Sequence, residues 1–287
     1  MNTGKKNIRR GILYIVSTPI GNLEDITLRA LRVLKEVRLI AAEDTRRTAK
    51  LTAAFAVETP LTSLHEWNES RKTEYVLSRL EEGEDVAYVT DAGTPGVSDP
   101  GFVLVREALA GGYTVVPVPG VTAAVAALSI AGLPMDSYVF FAFLPAREGK
   151  KRKFLESIRD EEKTMVFYES PRRLEETLRM MAGIFGDRPA VVARELTKMH
   201  EETIRGTIAE VLDRIAVREI RGEVTLIVGG KERGAPEISE EGLADLYLRL
   251  RKDPSLSTRD IAGIISRRTG LPKKQVYSFI LKKENRS

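Results

Sequence analysis
The chain has no cysteine, two histidines and one tryptophan in 287 residues. The lack of cysteine removes disulfides, Cys-ligated zinc, iron–sulfur clusters and thiol nucleophiles together. Two histidines cannot build a three-histidine metal site, and no H-E-x-x-H occurs. There is no G-x-G-x-x-G fingerprint and no Walker A sequence, so neither standard nucleotide-phosphate loop is present. No apolar run reaches the roughly 18 residues that span a bilayer. The segment Met1 to Gly11 is polar and basic and lacks the apolar centre of a secretory signal, so a cytoplasmic, reducing setting is expected.

What is present is an ordinary globular mixture, 43% hydrophobic and 30% charged, which excludes dominant disorder. The formal charge of +4 is unevenly placed. Ser239 to Ser287 carries eleven Lys/Arg against six Asp/Glu, so the excess sits in the tail and the rest is close to neutral. The length suits two compact domains and a small addition.

Apolar runs alternate with helix-period segments. Ile12–Val16, Leu39–Ala42, Val86–Thr90 and Val115–Val118 read as buried strands. Helices are expected from about Asp25 to Val37, capped by Asp25 or Thr27, after Thr45, up to Ala110, and through Ala131. This rhythm predicts a parallel sheet covered by helices. The pattern restarts near Gly132-Leu133-Pro134. Val139–Phe143, Thr164–Tyr168, Ala190–Ala193 and Val224–Val228 follow as strands, with Glu201–Arg205 a further candidate. Helices are expected within Arg147–Arg159 and Arg172–Phe185. The reading is an α/β protein with domains at 11–134 (parallel sheet) and 135–230 (mixed sheet). Lys231–Ser239 reads as a linker. A basic module at 240–287 follows, with three helical segments and the short connection Thr269-Gly270-Leu271-Pro272. That connection is the shape of a helix-turn-helix.

Chemistry is expected in the loops after strands, where open α/β sheets bind ligands. Ser17-Thr18-Pro19-Ile20-Gly21-Asn22-Leu23 offers small polar groups in a tight turn, or is a plain connector. Asp91 to Gly101 holds two acids, three glycines and two prolines in eleven residues. That exceeds the roughly 2–6 residues a βα connection needs. Gly93 and Gly96 permit close backbone approach, Asp91 can accept from an amine or sugar hydroxyls, and Asp99 reads as an N-cap. Pro117 to Ala124 leads into a helix of small residues whose free amides suit an anion. Equally, another helix packs tightly on top. Glu43, Asp44, Arg46 and Arg47 form a substrate-handling corner or a capped helix start. Glu169 with Arg172 and Arg173, and Arg194 to Lys198, lie after later strands; arginines at a helix start favour an anionic partner. His65 and Trp67 offer a base-stacking surface or a packed loop, and His200 reads as structural.

These loops resemble the tetrapyrrole methylase superfamily of S-adenosylmethionine-dependent methyltransferases over residues 12–230. Leu13 to Leu31, Ala42-Glu43-Asp44-Thr45-Arg46, Asp91 to Gly96, Phe167 to Pro171 and Arg194 to Lys198 follow in the order of one branch, ribosomal RNA small subunit methyltransferase I. The resemblance implies two α/β domains clamping S-adenosylmethionine, a homodimer, and a substrate of small-subunit ribosomal RNA or the assembled small subunit. It implies cofactor contacts at Ile20, Asp91, Ala92, Gly93, Thr94, Val97, Thr122 and Ala123, with Glu169 and Leu196 from the second domain. The sequence departs from the tetrapyrrole-modifying members in carrying Thr18-Pro19-Ile20-Gly21 and Ala92-Gly93-Thr94 where theirs are glycine-rich and Gly-Gly-Asp.

The branch implies methyl transfer to the ribose 2′-oxygen of a cytidine. A ribose hydroxyl is a poor nucleophile, so a general base within hydrogen-bond reach would help, with positioning without a dedicated base as the alternative. Asp25, Asp44, Glu169 and Lys198 are candidates, with Asp44 and Glu169 favoured. Arg46, Arg172, Arg267, Arg268, Lys273 and Lys274 are the candidate RNA contacts. Rival readings are methylation of a tetrapyrrole and a non-catalytic nucleic-acid-binding protein.

Overall fold
The computed structural model describes residues 9–232 and 239–284. The readings of Met1 to Ile8 and of most of the linker lie outside the described residues. The chain divides into two compact units, Met1–Lys231 and Glu232–Ser287.

The first half of the first unit alternates strand and helix without exception. Its elements are β1 (Ile12–Val16), α1 (Leu28–Glu36), β2 (Leu39–Ala42), α2 (Thr45–Ala54), β3 (Leu61–Ser63), α3 (Glu69–Glu81), β4 (Val86–Val89), α4 (Phe102–Ala110), β5 (Thr114–Val118) and α5 (Ala123–Ala131). The five strands form one parallel sheet in the order β3-β2-β4-β1-β5. Strand alternation sorts the core. Ile40, Ala42, Ala87 and Val89 face α1 with Val33 and Leu34, while Leu39, Ala41, Val86 and Tyr88 face α3 and α4. Helices on both faces account for strands that are apolar throughout. Of the two caps considered for α1, Thr27 is the one used, accepting from the Ala30 amide at 3.0 Å, and Asp25 instead ends a 3₁₀ turn.

The second half contains β6 (Tyr138–Phe143), α6 (Glu148–Ser157), β7 (Thr164–Glu169), α7 (Pro171–Phe185), β8 (Pro189–Arg194), β9 (Glu202–Thr207), α8 (Ile208–Ala216) and β10 (Val224–Val228). Its sheet runs β6-β7-β10-β8-β9 and is mixed: β6 pairs parallel to β7, and the other pairings are antiparallel. One face packs on α7 and α8 through Met165, Phe167, Val192, Leu226 and Val228. The other face, with Val166, Val191, Ala193 and Ile227, packs on Ala124, Ala127, Leu128 and Ala131 of α5 and on Ile20. The small residues of α5 therefore admit a sheet, where the alternative expectation was a helix. This shared core makes both halves part of one compact unit.

The second unit holds α9 (Glu240–Leu250), α10 (Thr258–Thr269) and α11 (Lys273–Glu284) around Leu243, Tyr247, Ile261, Ile265, Leu271, Val276 and Ile280. Ser257 and Asp260 form a reciprocal capping box at the start of α10. Gly270, left-handed at φ 73°, ends it. Arg267, Arg268, Lys273 and Lys274 are all exposed around that turn.

Candidate active site
The loops after β1, β4 and β5 are knitted together before any ligand is considered. Thr18 and Gly93 exchange backbone hydrogen bonds of 2.8 and 3.0 Å. The hydroxyls of Ser17 and Thr94 lie 2.8 Å apart. A Cβ on Gly120 would fall 2.7 Å from Ser17 Cβ, so this loop crossing needs a glycine. The loop after β4 is the most contorted stretch of the unit: Gly93, Gly96, Ser98 and Gly101 all have positive φ. Gly101, at φ 122°, is the N-cap residue of α4, and Glu69 supplies the missing side-chain cap by accepting from the Gly101 and Val103 amides at 3.0 Å each. Asp99 is thus not the cap the sequence suggested.

Within the first unit these loops meet β7 and β10 across a cleft of about 460 Å³. That volume lies in the range of about 300–1,000 Å³ typical of small-molecule sites. Of the residues assigned to the cofactor, Ile20, Asp91, Ala92, Gly93, Thr94, Val97, Thr122, Ala123 and Glu169 line it. Leu196 does not; it is buried beside Ile20 in the core joining the two sheets. The cradle combines apolar walls with a helix start, since Thr122 caps α5. It suits a ligand with a flat apolar part and a carboxylate.

The two walls differ in charge. On the first-sheet wall stand Glu43, Asp91 and Asp99, with Arg47. Asp91 accepts from the Asp44 amide at 3.1 Å and pairs with Arg47 at 3.2 Å, and its own amide donates to Glu43 at 3.2 Å. Burial raises the carboxyls of Glu43 and Asp91. Burial, reinforced by the negative charge of Glu43, pushes Asp99 up to about 6. The opposite wall offers Glu169, whose side chain is fully buried. Its oxygens accept from the Ser170 amide at 2.7 Å, Arg173 Nε at 2.8 Å and Thr177 Oγ1 at 2.8 Å. Both carboxylate oxygens of Glu169 are thus held by donors of its own wall.

Two of the expected catalytic residues stand outside the lining. Asp44 caps α2 by accepting from the Arg46 amide at 2.8 Å and forms an ion pair with Arg46 at 2.7 Å. Those bonds hold its carboxyl far below the usual range. Lys198 bonds Glu195 at 2.9 Å and Glu223 at 3.2 Å. Burial lowers its proton affinity, but the two carboxylates more than offset this and hold it cationic. Neither group is a proton acceptor at neutral pH. Glu195 and Thr197 adopt positive φ where this loop folds under the first one. A Cβ on Gly21 would sit 2.4 Å from Lys198 Cγ, so Gly21 serves the packing of the halves. Arg46 and Arg172 are exposed, away from the lining.

The sequence placed Glu43 in a substrate-handling corner, where it lines the cleft, but read Asp99 only as a cap. The available signal for Asp99 was its place in a loop too long to be a plain connector. Among the described residues no cluster of His, Asp and Glu could hold a metal ion. No helix there is long and apolar enough to cross a membrane.

Residues 12–212 match the family model for Tetrapyrrole (Corrin/Porphyrin) Methylases. The chain is 47% identical over 283 residues to Ribosomal RNA small subunit methyltransferase I of Pseudomonas aeruginosa, covering 96% of this chain and 99% of that one. It is 46% identical over 222 residues to the protein of the same name from Thermotoga maritima, covering 77% of this chain and all of that one. Among solved structures it is similar to a uroporphyrin-III C-methyl transferase from Thermus thermophilus complexed with S-adenyl homocysteine. The TM-score is 0.53 at 20% identity, over 76% of this chain and 97% of that one. That likeness concerns the fold.

Proposed function
We propose a function on this premise: the chain belongs to the tetrapyrrole (corrin/porphyrin) methylase family, in its ribosomal RNA small subunit methyltransferase I branch. It is a methyltransferase that uses S-adenosylmethionine. Its target is the ribose 2′-oxygen of a cytidine in small-subunit ribosomal RNA. The observation that carries this reading is the cleft itself. It is built from the strand-end loops of both sheets and presents an acid of raised proton affinity opposite a wall of satisfied ones.

When bound, S-adenosylmethionine supplies a sulfonium methyl group and leaves as the thioether. Ile20, Ala92, Val97 and Ala123 would enclose it, Gly93 and Thr94 would offer backbone and hydroxyl, and the start of α5 would suit its carboxylate. The chain's task is to hold the hydroxyl in line and take its proton. Positioning of this kind is worth roughly 7–11 kcal/mol. We assign the proton to Asp99, which lines the cleft and whose carboxyl burial and Glu43 push up to about 6, toward the range a general base needs. Glu169, fixed by Arg173 and Thr177, shapes the opposite wall.

The second unit is read as a helix-turn-helix module whose Arg267, Arg268, Lys273 and Lys274 contact phosphates. The protein works in the cytoplasm as a homodimer. Tetrapyrrole methylation is the rival. The test is incubation with methyl-labelled S-adenosylmethionine and, separately, unmodified small ribosomal subunits and a uroporphyrinogen. Label in the RNA alone is expected; label in the tetrapyrrole alone overturns the reading.

A further inference from the structure
Trp67 is the chain's one tryptophan, and 90% of its surface is exposed. A tryptophan ring left in water forgoes the burial that usually holds it in a fold. The loop bearing it is nevertheless closely pinned. The His65 amide donates to Asn68 Oδ1 at 2.9 Å, and the Asn68 amide donates to the His65 carbonyl at 2.9 Å. The Asn68 side-chain amide reaches Ser63 Oγ at 3.3 Å and His65 Nε2 at 3.1 Å. One residue on, Glu69 holds the start of α4 through the Gly101 and Val103 amides. Between those two amides sits Phe102, 69% exposed, with the Arg106 guanidinium 5.5 Å from its ring centre. Two exposed aromatic residues thus stand on segments that Glu69 ties together, and Gly101, which it holds, ends the Asp91–Gly101 loop of the cleft.

Strand order supplies the rest. The ends of β4, β2 and β3 lie side by side, with Ala42 in register with both Val89 and Ser63. After β4 comes the cleft loop, after β2 come Arg46 and Arg47, and after β3 comes Trp67. Arg47 lines the cleft, Arg46 has 88% of its side chain exposed, and Arg71 is exposed one turn beyond Trp67. The ion pairs of Arg46 with Asp44 and Arg47 with Asp91 lie at the surface, where such pairs contribute little and yield readily to a phosphate. Glu66 stands beside Trp67, and Arg106 pairs with Glu107 at 2.8 Å, an exposed pair of the same weak kind.

We propose that the loop after β3 and the start of α4 form a base-stacking platform for the unpaired RNA strand flanking the target nucleotide, with Trp67 and Phe102 as stacking rings and Arg46, Arg47, Arg71 and Arg106 as phosphate contacts. Aromatic faces interleaved with arginines are what single-stranded nucleic acid requires, since every base has a face to stack and every linkage a charge. A duplex hides its base faces and would not engage the rings. The inference rests on the RNA-methyltransferase reading and adds where the substrate strand runs.

The lone tryptophan makes the test direct. Trp67 emission is followed while a single-stranded oligoribonucleotide or a duplex of the same sequence is added to the full-length protein. Quenching by the single strand, with little from the duplex, is expected. Trp67→Ala should raise the KM for subunits roughly 5- to 150-fold, and Trp67→Phe should restore most of the loss. The affinity for S-adenosylmethionine, read by calorimetry, should be unchanged in both. No quenching, together with wild-type KM in Trp67→Ala, overturns the platform and leaves the methyltransferase reading intact. Absence of RNA methylation by the wild-type protein overturns that reading instead.

Discussion
The two walls of the cleft treat a carboxylate in opposite ways. Glu169, on the second-sheet wall, is fully buried but surrounded by donors: an amide, a guanidinium and a hydroxyl. Asp99, on the first-sheet wall, is half-buried beside Glu43 and Asp91, so its charge is disfavoured by lost water and by those neighbours. Burial alone therefore does not decide a role. The satisfied acid is a strut, held in place by its donors, whereas burial and the charge of Glu43 push the crowded acid up to about 6. Carboxylates in such different surroundings let one cleft separate positioning from proton transfer.

Exchanging the roles of the walls gives the strongest way to break this comparison. Asp99→Asn should lower single-turnover methylation by roughly 10²–10⁴-fold while cofactor affinity stays within a few-fold. Glu169→Ala should act first on stability. Removing one partner of a buried ion pair costs about 3–5 kcal/mol, visible as a lower urea midpoint, since Arg173 is left uncompensated. If Glu169→Ala unfolds normally and Asp99→Asn turns over at the wild-type rate, the walls are wrongly assigned.

A pH series sharpens the same contrast. The wild-type rate should rise through about pH 6 as Asp99 deprotonates. Stability should move the other way. The folded carboxyl binds its proton more tightly than the unfolded one, so raising pH from about 4 to about 6 removes stability. In Asp99→Asn both dependences should flatten. Deleting residues 240–287 should weaken RNA binding and lower the log–log salt slope by about 0.7–0.9 per lost phosphate contact, with cofactor binding unchanged. The Thermotoga maritima relative is matched over its full length by 77% of this chain. Smallest of all, Asp44→Asn should leave turnover nearly unaltered, because Asn still caps α2 and the Asp44–Arg46 pair is at the surface.

How much was legible follows the same division. The second unit is built from conventional signals. The Ser257 cap, the Gly270 stop and the Val276/Ile280 face could be read directly, and α10 and α11 fall where those residues put them. The strands of both sheets were likewise visible as apolar runs. What escaped was β3, α3 and α8. The first is a three-residue edge strand with little apolar content, and α3 is mostly charged on its outer face. The third carries a Thr207–Glu210 capping box that was readable and went unread. At the site, the glycine-rich loop announced itself, but the role of Asp99 did not. Its environment comes from Glu43, 56 residues earlier in the chain, brought alongside only when β2 pairs with β4. Local pattern made Asp99 a cap, and Gly101 with Glu69 took that task instead.

Methyl transfer to a ribose oxygen of ribosomal RNA leaves a mark that alkaline hydrolysis reads. Small subunits labelled by the purified protein and S-adenosylmethionine are stripped to RNA and hydrolysed in alkali. A methyl group on the 2′-oxygen blocks cleavage of the adjoining linkage, so the label should emerge in an alkali-resistant dinucleotide whose 5′ residue is 2′-O-methylcytidine. Label released in single nucleotides methylated on the base would contradict the account.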